Sequence, residues 1–265
     1  MARIVPLWRS DAISVHRFDH PVEHEDQAYE EVSTAYVASF VESGTFDLAA
    51  GGDAWCVRAG DVMLQRPDLR FRASFEGPGF NDTCLTIVYL AANEDGFDPA
   101  RSWDRANRTV LRAGDRLRYL QWLLARAVAT GTPMLAEHCA TEIFAALPED
   151  QPDPALSGRK FHWYAERVRH ACERMDADYP SALTASELAR DAGMSMFHFS
   201  RVFAALTGAP PHRYLLKARL SAAARMLKDG RSVTETCYAT GFNNLSHFTR
   251  SFARAHGRPP SRFPA

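Results

Sequence analysis

Short runs of β-branched and aromatic residues, broken by turn residues, fill the first hundred positions. Residues 35–41 and 83–90 are such runs, and their composition fits a pleated, half-buried surface. Gly51-Gly52-Asp53 reads as a hairpin turn before a strand at 54–58. Ala59-Gly60-Asp61 is a second turn signal before 62–66, and Pro67-Asp68 a third. Several short strands spaced by turns predict an antiparallel barrel or sandwich over about 12–95.

From Gly114 the period becomes helical. Leu117, Leu120, Leu124 and Val128 form one stripe, Gly131-Thr132-Pro133 breaks it, and Leu135, Cys139, Ile143 and Leu147 form a second. Two helices over 114–147 could cover the barrel or supply a homodimer surface, and the pattern leaves both open. The polar, proline-rich stretch from Pro148 to Pro154 cannot continue as helix or central strand. Residues 148–160 therefore read as a linker between a domain over 1–147 and another over 161–265.

The second half repeats itself. Thr184-Ala-Ser-Glu187 and Ser232-Val-Thr-Glu235 are both capping boxes, 48 residues apart. Gly193 and Gly241 are again 48 apart, each suited to a left-handed turn. The pairs Arg201/Arg250, Phe203/Phe252 and Gly208/Gly257 are 49 apart, as if the second turn held one extra residue. Each copy reads cap, short helix, glycine turn, second helix, which is the helix-turn-helix pattern, over 184–207 and 232–256. Between them residues 211–227 predict an amphipathic linker helix with Leu216, Leu220, Ala223 and Leu227 on its apolar side. The expected fold class is therefore α+β in two domains.

Charge separates the same halves. Residues 160–265 carry 16 Lys and Arg against 8 Asp and Glu, a net of +8, whereas residues 1–159 carry 15 against 24, a net of −9. A basic module joined to an acidic one points to double-stranded DNA as a partner of the second half. The five cysteines are far apart with no C-x-x-C pair, a spacing that makes neither a zinc site nor a disulfide framework. No stretch approaches the roughly 18 apolar residues of a membrane span, and the charged N-terminus lacks a signal-peptide core. A cytoplasmic protein with no membrane partner is the expectation.

The residues Gly241-Phe242, Ser246, Phe248, Arg250, Phe252 and Gly257-x-Pro-Pro-Ser-x-Phe263 resemble the signature of AraC/XylS-type transcriptional regulators. The first unit matches too, through Leu188-Ala189, Gly193-Met194-Ser195, Phe199-Ser200-Arg201, Phe203, Thr207-Gly208 and Pro210. The likeness covers roughly 165–265. The first half is similar, more loosely, to the family's cupin-like sensing domain through Ala59–Met63 and Pro67. The resemblance implies a promoter-binding regulator with a small-molecule effector or a dimer contact in the N-terminal domain, and a contact with RNA polymerase.

In a helix-turn-helix the second helix enters the major groove. Here that helix is expected near 196–207, capped by Ser195, and near 245–256, capped by Asn244. With Phe199, Val202, Phe203 and Leu206 inward, Phe197, Ser200, Arg201 and Ala204 face out. With Phe248, Phe252 and Ala255 inward, Leu245, Ser246, Thr249 and Arg250 face out. Arg201 and Arg250 suit guanine, with a salt bridge to a neighbouring acid or a phosphate contact as the alternative. Leu245 and Phe197 suit thymine methyls, Ser200 and Thr249 suit bases or phosphate, and Ser246 is a further outward-facing candidate. Arg213, Lys217, Arg219, Arg254, Arg258 and Arg262 suit the phosphate backbone or solvent.

No catalytic motif stands out, so no enzyme activity and no cofactor is expected. A cupin-like enzyme with a DNA-binding tail is the alternative. Against it, residues 35–41 contain no histidine, Phe71 stands where a post-proline histidine would fall, and Pro21 interrupts His20-Pro-Val-Glu-His24. His16, His20, His24, His138 and His162 read as exposed loop residues. Tyr36, Phe40, Phe46, Trp55, Phe71 and Tyr89 could line a ligand cavity or fill the core. Arg58, Arg66, Arg70 and Arg72 could meet an anionic effector or sit in surface ion pairs. A DNA binder that senses no ligand is a third reading.

Overall fold

A computed structural model describes residues 3–19, 28–74, 82–90, 98–99, 103, 108–147, 155–156 and 158–263. Within it the chain forms two compact units, Met1–Ala155 and Leu156–Ala265. His20, His24 and most of the expected linker, 148–154 and 157, lie outside the described residues.

The first unit holds two antiparallel sheets. The larger has strand order β1 (Arg3–Arg9), β2 (Ile13–Asp19), β9 (Thr83–Tyr89), β4 (Tyr36–Ser43), β7 (Asp61–Gln65), β10 (Val110–Arg112). The smaller runs β3 (Tyr29–Val32), β8 (Arg70–Ser74), β5 (Thr45–Ala50), β6 (Asp53–Arg58). One face of the larger sheet, with Val15, Ile87, Ala38 and Leu64 in register, packs on the helices α1 (Asp115–Ala129) and α2 (Pro133–Ala146). Its other face, through Val41, Met63 and Cys84, shares a core with Phe46, Leu48, Phe71 and Ala73 of the smaller sheet. Strand β4 is therefore buried on both sides, which is why residues 37–41 are all buried. The β5–β6 hairpin closes on Gly51 and Gly52, both at positive φ, the backbone a two-residue primed turn demands.

Two strands exceed the expected span of 12–95. Strand β1 is an edge strand whose exposure shows no clean alternation, and β10 is only three residues long, so neither had a pattern to read. Leu135 is another departure: it is exposed, and Ala136 takes the inward position beside Cys139 and Ala140. His16 lies mid-strand in β2, half-buried, with its Nε2 2.9 Å from the Ser14 hydroxyl. Burial, and then Arg9, push its pKa down. His138 and His162 are exposed on helices rather than loops.

The second unit is helical: α3 (Gly158–Ala177), α4 (Ala185–Asp191), α5 (Met196–Thr207), α6 (Pro211–Lys228), α7 (Val233–Ala239), α8 (Leu245–His256) and a short 3-10 turn, Pro260–Arg262. Helix α6 touches α3 and α5 on one side and α7 and α8 on the other. Leu216, Leu220, Ala223 and Leu227 face the core formed with Cys237, Phe242, Phe248 and Phe252. Leu215 and Ala222 are buried as well, so this helix is apolar on more than the single stripe expected. A connector packed on both sides needs that wider apolar surface.

Candidate nucleic-acid interface

Each short helix starts on a hydroxyl. Thr184 accepts the Glu187 amide at 3.2 Å, and the Glu187 carboxylate accepts the Thr184 amide at 2.9 Å and hydroxyl at 2.8 Å. Ser232 likewise accepts the Glu235 amide at 3.2 Å. The second box closes only on that side: Glu235 pairs with Arg231 at 3.4 Å instead of reaching back. A cation four residues before the glutamate competes for its carboxylate.

The turns differ by one residue. Helices α4 and α7 start 48 residues apart, while α5 and α8 start 49 apart. Gly193 and Gly241 both adopt positive φ, +67° and +80°. Helices α5 and α8 begin at the caps expected for them. The Ser195 hydroxyl accepts the His198 amide at 3.3 Å, and Asn244 Oδ1 accepts the His247 amide at 2.9 Å. Both end at left-handed glycines, Gly208 and Gly257.

Neither long helix contains an acidic residue. In α5, Phe199, Val202, Phe203 and Leu206 are buried. Phe197 is 75% exposed, Arg201 is exposed, and Ser200 and Ala204 are half-buried. The Arg201 guanidinium carbon lies 6.0 Å from the Phe197 ring centre. In α8, Phe248 and Phe252 are buried, Leu245, Ser246 and Arg250 are exposed, and Thr249 is half-buried. Ala255, expected to pack inward, is exposed. His256 completes that side, its ring 4.3 Å from Phe252 and 5.3 Å from Phe263. A flat imidazole fills the wedge between two rings better than a methyl group.

Among the described residues of this half, Arg169 pairs with Glu166 and Glu173, Arg174 with Asp191, and Arg231 with Glu235, and His170 lies 3.5 Å from Glu173. These pairs leave Arg201 and Arg250 without an acid partner among the described residues. Of the cations assigned to phosphate or solvent, Arg213, Lys217, Arg254, Arg258 and Arg262 are exposed. Arg219 is not one of them. Its Nε donates to Tyr179 O and its Nη2 to Ser181 O, both at 2.8 Å, and burial lowers its pKa.

Further side chains sit on or beside α5. Met196 is 54% exposed at the first helical position, its sulfur 3.3 Å from the Ser186 hydroxyl. His198 Nε2 is 2.8 Å from the Tyr164 hydroxyl of α3, and Trp163 next to it carries the Arg167 guanidinium 3.6 Å from its ring centre. Met196 directly follows its cap, a position that sequence periodicity could have placed on the outer face.

A helix-turn-helix domain family model matches residues 188–265, a span that contains both exposed helices. The chain is a DNA-binding transcription regulator with an AraC-type helix-turn-helix domain in its second half. This regulator is 22% identical to the uncharacterized HTH-type transcriptional regulator YbfI of Bacillus subtilis over 225 residues, 80% of this chain and 78% of that one. It is 33% identical over 85 residues to the bifunctional transcriptional activator/DNA repair enzyme Ada of Escherichia coli, 32% of this chain and 23% of Ada. A solved transcriptional regulator from Chromobacterium violaceum, described as having an AraC-type DNA-binding domain, is 25% identical. That match covers 36% of the regulator and 87% of the other chain, with a TM-score of 0.35.

In the N-terminal unit of the regulator, Phe40, Phe46, Phe71 and Tyr89 are core residues, while Trp55 and Tyr36 are half-buried. Trp55, Gln65, Arg66, Trp103 and Arg108 line a cavity of about 130 Å³. Arg66, Arg70 and Arg72 also border an open groove beside it, and Arg58 is exposed on the edge strand β6. Among the described residues, no three His, Cys, Asp or Glu side chains are grouped to hold a metal ion. No helix of the described residues is long and apolar enough to cross a membrane.

Proposed function

We propose that residues 184–207 and 232–256 are two helix-turn-helix units that read promoter DNA in successive major-groove segments of one duplex face, roughly 34 Å apart. Phe197, Ser200 and Arg201 read the first segment, and Leu245, Ser246, Thr249 and Arg250 the second. Arg213, Lys217, Arg254, Arg258 and Arg262 neutralise phosphates. The observation that carries this reading is the pair of capped, acid-free helices whose exposed arginines have no acid partner among the described residues. A guanidinium left unpaired in this way is free to fork onto guanine O6 and N7.

The N-terminal unit serves as a cupin-like sensing domain. Two sheets sharing one core, with a small aromatic and arginine-lined cavity at the rim, suit a small anionic effector. The helices over 114–147 supply a homodimer contact, supported by the exposed Met134 and Leu135 at the start of α2, and DNA-bound regulator meets RNA polymerase.

Selection from sheared genomic DNA by the full chain, followed by sequencing of bound fragments, tests the reading. The expected result is a few sites, each with two short boxes about one helical turn apart. Retention of DNA without any shared box, at low salt and with folded protein, would overturn it.

A further inference from the structure

Two recognition helices gain from each other only if their separation is held. Linked modules bind a paired site roughly 10²–10⁴-fold more tightly than a single one, and only where the geometry lets both engage. In this chain the linker helix α6 joins the units. A second tie is present where the α3–α4 loop, residues 178–184, meets the turn of the second unit.

Arg219 projects from α6 and forks onto that loop, one arm to Tyr179 O and the other to Ser181 O. Between those two carbonyls sits Pro180, whose backbone is the nearest neighbour of Gly241: a Cβ built on Gly241 would lie 2.4 Å from Pro180 O. Gly241 is the left-handed turn residue that sets the entry of α8. Leu183 leads directly to Thr184, the cap of α4. One guanidinium therefore holds, through a single loop, the start of the first unit against the turn of the second. The cleft around this junction is lined by Leu183, Leu188, Leu215, Leu216 and Phe242, with residues drawn from both units. In the first unit Gly193, the counterpart of Gly241, has nothing within 4 Å of its built Cβ. The tie is specific to the junction and is not a property of the repeat.

We propose that Arg219 is a positioning residue for DNA reading: its fork onto Tyr179 O and Ser181 O presses Pro180 against Gly241 and fixes the twist between the two recognition helices. The proposal rests on the two-segment reading above. Planar geometry is what the role needs, because a guanidinium reaches two carbonyls at once and an ammonium is a single point donor.

The test uses full-length protein and duplexes carrying the two boxes that the wild type selects, with one base pair added or removed between them, together with a single-box duplex. Each inserted pair turns the second box by about 35° around the helix axis. Wild type is expected to lose about tenfold in affinity on a one-pair change, a fraction of the linkage gain. Arg219→Gln is expected to bind the single box as wild type does, to lose most of the gain from the second box, and to show nearly the same affinity at all spacings. Arg219→Lys, which keeps the charge, falls between them and guards against a folding defect, checked by melting. A wild-type spacing profile in Arg219→Gln overturns the proposal, as does an equal loss on single-box and two-box duplexes. Wild-type protein that gains nothing from a second box overturns the two-segment reading itself and the clamp with it.

Discussion

The two turn glycines look equivalent in the sequence and are not equivalent in space. Both adopt positive φ, a conformation that disfavours any side chain by about 1–2 kcal/mol. At Gly193 that is the whole penalty, since a Cβ would meet nothing. At Gly241 the added methyl also runs into the Pro180 backbone, which cannot rotate aside as a side chain would. Gly241→Ala should therefore destabilise the regulator clearly more than Gly193→Ala, as read by urea midpoints of the two variants. Equal midpoints would show that the loop yields without resistance. The surface arginines are a different matter. Arg250→Ala should weaken binding to the preferred site by about 1–3 kcal/mol and flatten the base preference at one position. Titration against sites substituted at each base pair separates this from a phosphate contact, where the loss is the same on every sequence. The outward placement of Arg201 and Arg250, the arginines proposed to read DNA, was legible because a 49-residue offset lines up like with like. Arg219 was not legible: its partners are backbone carbonyls 38 and 40 residues away, and carbonyls leave no trace in residue types.

At the level of elements, capping chemistry could be read residue by residue up to the point where a neighbour intervened. Thr184-x-x-Glu187 closes as a full box, whereas Ser232-x-x-Glu235 loses its return bond to Arg231. Removing the cap in Thr184→Ala should destabilise the helical unit by about 1 kcal/mol. Glu187 adds a pH dependence. Hydrogen bonds from the Thr184 amide and then its hydroxyl hold the carboxyl below its ordinary pKa. A depressed folded-state pKa gives stability that is present above the unfolded value and is lost as pH falls through the folded one. The difference in melting midpoint between wild type and Glu187→Ala should thus be constant near pH 7 and shrink toward zero in acid. A gap that persists below pH 3 would assign the effect to helix propensity instead. In the sheets, Asp61 accepts the Arg58 amide at 3.0 Å and Arg112 Nη1 at 2.9 Å, and the same nitrogen bonds Ala59 O at 2.8 Å. The Ala59-Gly60 turn signal was readable. Its strap from β10, 51 residues on, was not, because a three-residue strand carries too little pattern to announce itself.

At the scale of the molecule, each unit has its own core: the two sheets with α1 and α2 in one, and in the other α6 packed against α3 and α5 as well as α7 and α8. The proline-rich segment after Leu147 stands next to that division in the sequence, and the opposite charges of the two halves gave it a functional direction. Counterion release makes DNA binding by a cationic surface fall steeply with salt, with a slope near 0.9 per neutralised phosphate. If the reading surface lies wholly within the second unit, an isolated 156–265 fragment should melt cooperatively and select the same boxes as the full chain. Its plot of log affinity against log salt should be linear with the same slope. Replacing Arg213, a proposed phosphate contact, should lower that slope by about one in fragment and full chain alike and leave the base preference untouched. A fragment that folds but has a shallower slope than the full chain would mean that residues before 156 also touch phosphate. That outcome would be unexpected for a half whose net charge is −9, because acidic surface repels the DNA backbone and adds no counterion release of its own.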